Sequence, residues 1–162
     1  MEDARDKRAA MMGWGIRLGL LLLAASALPV GLWASFASRS FYEDFPAPGR
    51  HWVSAIGPYN EHLVTDVGAG YLALGVLLGL AGILLGRTLV RVSLLAWLAY
   101  AIPHFAFHLT TLDAFSFTDN LVNMGVLGLA VLIPLFLLAG MYRTVRKDES
   151  GDRRTKEEET QI

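Results

Sequence analysis

The sequence predicts an all-α integral membrane protein, a four-helix bundle with both termini in the cytoplasm, and three observations carry that reading. Hydrophobic residues make up 54% of the 162 residues, where an average soluble domain holds about 45–50%. The charged residues are segregated into the two ends and the connections, leaving four long runs almost free of them. Lysines and arginines also sort to alternate connections, as the positive-inside rule requires of a multi-pass chain.

Taken in order, residues 1–12 form a mixed-charge leader, and 13–142 form the membrane domain. The first apolar run spans about residues 16–36, long enough at 1.5 Å per residue to cross roughly 30 Å of hydrocarbon. Its basic flank and the Ser35-Phe36-Ala37 triplet also fit a long signal peptide, which would leave three spans after cleavage. Residues 37–62 form the longest connection, broken by Pro46, Pro48, Gly49, Gly57 and Pro58. Its rings, Phe41, Tyr42, Phe45, Trp52 and Tyr59, suit a segment folded onto the headgroup layer, where it could lid whatever lies beneath.

The second span, about residues 63–85, carries Gly75, Gly79, Gly82 and Gly86 along one side. Small residues at that spacing let two backbones approach in lipid, either within the bundle or in a homo-oligomer or membrane partner. Gly86-Arg87-Thr88 permits only a tight turn, so the third span, about residues 89–109, returns antiparallel beside the second. Pro103 inside it removes a backbone donor and leaves the carbonyl near Ala99 to be satisfied by protein or water. A short link leads to the fourth span, about residues 121–142, with Asp119 placed as its N-cap. The mixed-charge tail, 143–162, lacks apolar periodicity and reads as disordered.

Arg5, Lys7, Arg8, Arg87, Arg91, Arg143, Arg146 and Lys147 fall on one side of this topology, which puts the long loop outside. His62, Asp66, His104 and His108 then share the outer half. Residues equidistant from about position 87 should lie at similar depth, which matches Asp66 with His108 and puts His104 deeper. A lone carboxylate one turn below a membrane surface costs about 2 to 3 kcal/mol or more, so Asp66 needs a partner. His62, Asp66, His104 and His108 are therefore candidate ligands of a divalent metal, because i,i+4 pairs on adjoining helices can surround one ion. Zn2+ suits the donor set best, and copper or iron suits it less well. Glu61, Asp113, Asp119, Asn123, Tyr59 and Tyr100 are candidate supporting groups that orient the imidazoles.

Two other readings stay open. The same residues could form a purely structural hydrogen-bonded network in a non-catalytic membrane subunit or scaffold. They could also bind haem, a quinone or a lipid headgroup, although two histidines on one helix do not face each other across a haem. No catalytic residue is identified: the sequence shows no nucleophile triad, phosphate loop or dinucleotide fingerprint, and it contains no cysteine. Metal-assisted chemistry on a lipid, with Asp66 or Glu61 as base, is compatible with the residues but selects no substrate. Nucleic-acid binding is excluded by the near-neutral charge, 14 basic against 15 acidic residues.

At GPYNEHLVTDVGAGYLALGVLL and IPHFAFHLTTLD the chain resembles a group of small four-span bacterial membrane proteins, distantly similar to the DoxX-like family. The resemblance rests on Asn60, Glu61, His62, Asp66, Gly68, Pro103, His104, His108 and Asp113. It implies the four-span fold and a multi-pass location in the bacterial inner (plasma) membrane, and it assigns no chemistry.

Overall fold

The computed structural model describes the backbone over residues 2–160 and the side chains over 13–142. The tail expected to be disordered, 143–162, has its side chains outside those described. The elements are all helical: α1 (Glu2–Phe36), α2 (Ser38–Asp44), α3 (Glu61–Leu84), α4 (Arg87–Leu109), a 3-10 turn (Leu112–Ala114) and α5 (Phe117–Thr160). Four stretches are long and apolar enough to span a membrane: Gly13–Phe36, Glu61–Leu84, Arg87–Leu109 and Phe117–Tyr142. The chain is thus built as a multi-pass membrane protein. One end of the bundle carries α2, the 45–60 loop and the α4–α5 link, and is called the loop end. The other carries the α3–α4 turn, and is called the turn end.

The closest pairing is between α1 and α3, and it follows from where the sequence puts small residues. A Cβ on Gly31 would lie 2.7 Å from the Leu72 backbone nitrogen, and one on Gly68 would lie 2.5 Å from that of Ser35. Gly75 lies against Leu28 and Gly82 against Leu21. These contacts hold one register, in which seven residues up α1 match seven down α3. In lipid, where burial of apolar surface does not drive helices together, such close approach supplies the van der Waals contact that does. The glycine side of α3 is therefore occupied by α1 of the same chain. A Cβ on Gly79 would meet that of Ala24 at 3.9 Å, an ordinary contact, and Gly86 meets only Leu89.

Around this pair Leu20, Leu23, Ala24, Ala27, Leu78, Ala81, Val90, Leu94, Trp97, Ala101 and Met141 form the main core. The two-residue connection does bring α4 back beside α3, with Tyr71 packing on Trp97 and Tyr100. Leu85 turns the corner with φ 53°, a left-handed conformation that ends α3 while its N–H bonds Ala81.

α5 is the most exposed span, with Leu121, Val126, Leu129, Leu132 and Phe136 all at the surface. One polar contact fixes its middle. Pro134 lies inside α5 and has no N–H for the carbonyl of Ala130, four residues back. The Trp97 indole Nε1 donates to that carbonyl at 2.8 Å. The defect that a proline leaves in a lipid-embedded helix is thus answered by a side chain of α4.

Two local expectations are corrected. The 37–62 connection contains a helix, α2, formed because SRSFYED places Arg39 and Glu43 one turn apart as an ion pair and turns Phe41 inward. That pairing raises the already high Arg39 pKa further, the hydrogen bond to Glu43 being the largest cause. The start of α5 is capped by Ser116 and not by Asp119: the Ser116 hydroxyl accepts from the Asp119 N–H at 3.1 Å. It also donates to the Asp119 carboxylate at 2.7 Å. The helix begins one turn earlier than the apolar run suggests, so Asp119 stands at its third position, the partner place in a capping box.

Two results test this packing. Gly68→Ala should destabilise the protein by about 1–3 kcal/mol, because its Cβ would meet backbone that cannot step aside. Gly70→Ala, which enters open space, should instead stabilise it by about 0.5–1 kcal/mol; thermal unfolding in one detergent compares the two. Trp97→Phe should cost about 1–3 kcal/mol by leaving the Ala130 carbonyl without a donor, and the same unfolding assay reads it.

Candidate functional site

Helix spacing alone brings His104 and His108 to the buried side of α4, since positions 97, 101, 104 and 108 recur on one face. The result is a continuous column of rings running toward the loop end. Tyr100 stacks on His104 with centroids 5.5 Å apart. His104 meets His108 edge to face at 4.8 Å. Phe115, from the α4–α5 link, covers His108 at 6.2 Å.

His108 is 8% exposed and Asn123 on α5 is 5% exposed, and they meet: His108 Nδ1 and Asn123 Nδ2 are 3.0 Å apart. As placed, the amide donates and Nδ1 accepts, which puts the imidazole proton on Nε2. With the amide turned over, Oδ1 accepts from an Nδ1–H and Nε2 keeps a free lone pair. Either way one buried hydrogen bond ties α4 to α5. His104 makes no hydrogen bond among the described residues.

His62 and Asp66 do not join this cluster. They pair with each other, Nε2 to Oδ2 3.4 Å, with side chains 87% and 61% exposed. The reason is azimuth. Val64 and Gly68 face α1, and residues two positions either side of Val64 lie about 160–200° around the helix from it. Among the described residues no group of three or more His, Asp or Glu side chains could hold a metal ion. The four-ligand arrangement expected from depth is thus replaced by two imidazoles inside and an exposed pair outside.

The supporting groups divide likewise. Asn123 orients an imidazole, and Tyr100 packs on one. Glu61 and Asp113 are exposed. Tyr59 bonds the Ser38 hydroxyl at 2.9 Å. Asn120 clamps the α4–α5 link through Leu112 O at 2.8 Å, while its Oδ1 is buried without a donor.

Asp119 turns away from the imidazoles to hold the long loop. Arg50 Nη1 donates to its Oδ1 at 2.6 Å and Trp52 Nε1 donates to the same oxygen at 3.0 Å. The rest of the loop is anchored on α1, α2 and α3, where Phe41, Phe45, Val53, Tyr59 and Val64 share a small core with Trp33. Tyr42 donates to Gly57 O at 2.8 Å, and the His51 Nδ1 lies 2.7 Å from Glu43 O. The loop therefore lies folded over the loop end, strapped to α5 by a single carboxylate one helical turn from Asn123. Neither Arg50 nor Trp52 stands out in the sequence as a site residue; the Ser116-x-x-Asp119 spacing is the one signal that could have pointed to this strap.

Asp119→Ala should free the loop, since a hydrogen bond to a charged group contributes about 1.5–3 kcal/mol. Limited trypsin cleavage after Arg50 should then run about tenfold faster than in the native protein.

No protein-family model, no curated protein and no solved structure matches the chain.

Proposed function

We propose that the chain is a non-catalytic subunit or scaffold of the bacterial inner membrane, with both termini cytoplasmic, whose His108–Asn123 cluster is a structural clamp. The observation that carries this reading is the buried His108–Asn123 hydrogen bond, which ties α5, the least covered span, to α4. In lipid the alternative to that bond is an unsatisfied imidazole and amide, so it strongly favours one packing of α5. What supports the orientation is the arginine and lysine distribution along the chain. The exposed apolar side of α5 leaves room for a partner helix.

A second reading is favoured by one observation, the 4.8 Å separation of the His104 and His108 rings. Two imidazoles one turn apart are half of a zinc site, and water or a partner subunit would complete the coordination. Asn123 would then supply the orienting hydrogen bond that metal-bound histidines usually have.

Elemental analysis of protein purified in mild detergent, without chelator or histidine tag, separates the two. The structural reading expects no stoichiometric metal, and it expects Asn123→Leu to destabilise α5 by about 1–3 kcal/mol. About one equivalent of zinc that disappears in His104→Ala would overturn it in favour of the second reading.

A further inference from the structure

The charged residues of the described membrane domain are sorted by end as well as by sign. Every described carboxylate, Glu43, Asp44, Glu61, Asp66, Asp113 and Asp119, lies in the loop-end half. Of the five described arginines, the two at that end are paired, Arg39 with Glu43 and Arg50 with Asp119. The remaining three, Arg17, Arg87 and Arg91, lie at the turn end, and none has a carboxylate partner among the described residues.

Helix register puts these three together in depth. Leu21 lies against Gly82; four residues before the one is Arg17, and four beyond the other is Gly86. Arg17 is therefore level with the α3–α4 turn and its neighbour Arg87, with Arg91 one turn further along α4. The side chain of Arg17 is partly covered. Its Nε is buried without an acceptor, and its guanidinium lies 5.4 Å from the centre of the Trp14 ring.

The aromatic residues mark the same level as an interface. Gly19 lies against Leu137 of α5, and five residues outward along each helix are Trp14 and Tyr142. Both are surface-exposed, at 68% and 66%. An indole and a phenol at one height are the pattern found where acyl chains meet headgroups, and Arg17 and Arg87 lie within about one turn of that level.

From this we propose that the turn end binds the phosphate groups of anionic phospholipids, with Arg17, Arg87 and Arg91 as the binding residues. A phosphate diester supplies acceptor oxygens for the exposed guanidiniums of α4 and for the terminal nitrogens of Arg17, whose Nε is itself covered. Its acyl chains would run along the apolar surface of the neighbouring helices. Arginine suits the task because its planar fork donates two parallel hydrogen bonds to one phosphate.

The test uses the full chain in a neutral detergent, mixed with phosphatidylglycerol or phosphatidylcholine and read by native mass spectrometry. The native protein should retain phosphatidylglycerol in preference to phosphatidylcholine. Each arginine removed should weaken that retention roughly fivefold, the factor for a basic residue near an anionic surface. Arg87→Gln and Arg91→Gln change exposed side chains and keep the test valid if Arg17→Gln does not fold. The Arg39→Gln, Arg50→Gln double variant should retain the lipid as the native protein does. Equal retention of the two lipids would mean that the arginines do not select an anionic headgroup, and would overturn the proposal. So would competition by inorganic phosphate at millimolar concentration, or an equal loss in the loop-end double variant.

Discussion

The approach of α1 to α3 is the constraint on which the other contacts rest. At Gly31 and Gly68 the two backbones are so close that no side chain fits between them. That contact sets the rotation of both helices about their axes, and the rotation decides every other face. It turns Leu20, Ala24, Leu78 and Ala81 toward the core and turns His62 and Asp66 away from it. It also fixes the level at which the short turn delivers α4, and with it the height of Tyr100, His104 and His108.

Polar contacts complete what glycine packing leaves open. α5 has few small residues against its neighbours, and its inner side is defined by Asp119, Asn123, the Ala130 carbonyl and Leu137. Three of these are polar, bonded respectively to Arg50 and Trp52, to His108 and to Trp97. Each bond is directional, which apolar contact in lipid is not. A helix that shows most of its surface to the surroundings can in this way hold one rotation and one depth.

How far the sequence revealed this arrangement depends on which coordinate is asked for. Depth was legible to within a turn: the rise per residue puts His104 at the level of Tyr71, and Tyr71 meets Tyr100, one turn away along the same face. Azimuth was not. His62 and Asp66 have the right height for an interior site, but a length of apolar sequence with hydrophobic residues all round it does not say which side faces a neighbour. The histidines of α4 and Asn123 were brought together because their faces also carry Trp97, Ala101 and Pro134, which pack inward. The strap through Arg50 and Trp52 joins residues nearly seventy apart in the chain, and no local pattern encodes such a contact.

The pairing of helices also bears on the order in which the chain can fold during synthesis. A two-residue turn would suggest that α3 and α4 form the primary hairpin, yet α3 makes its tightest contacts with α1, made before it, and α4 is tied through Trp97 and His108 to α5, made after it. The protein is thus two hairpins in succession, with the short turn as the joint between them. The first can close as soon as its second span enters the bilayer, before the imidazole pair of α4 has followed it in. The second then assembles against a surface already set, so the buried histidines need not wait unpaired in lipid for longer than the insertion of one more helix.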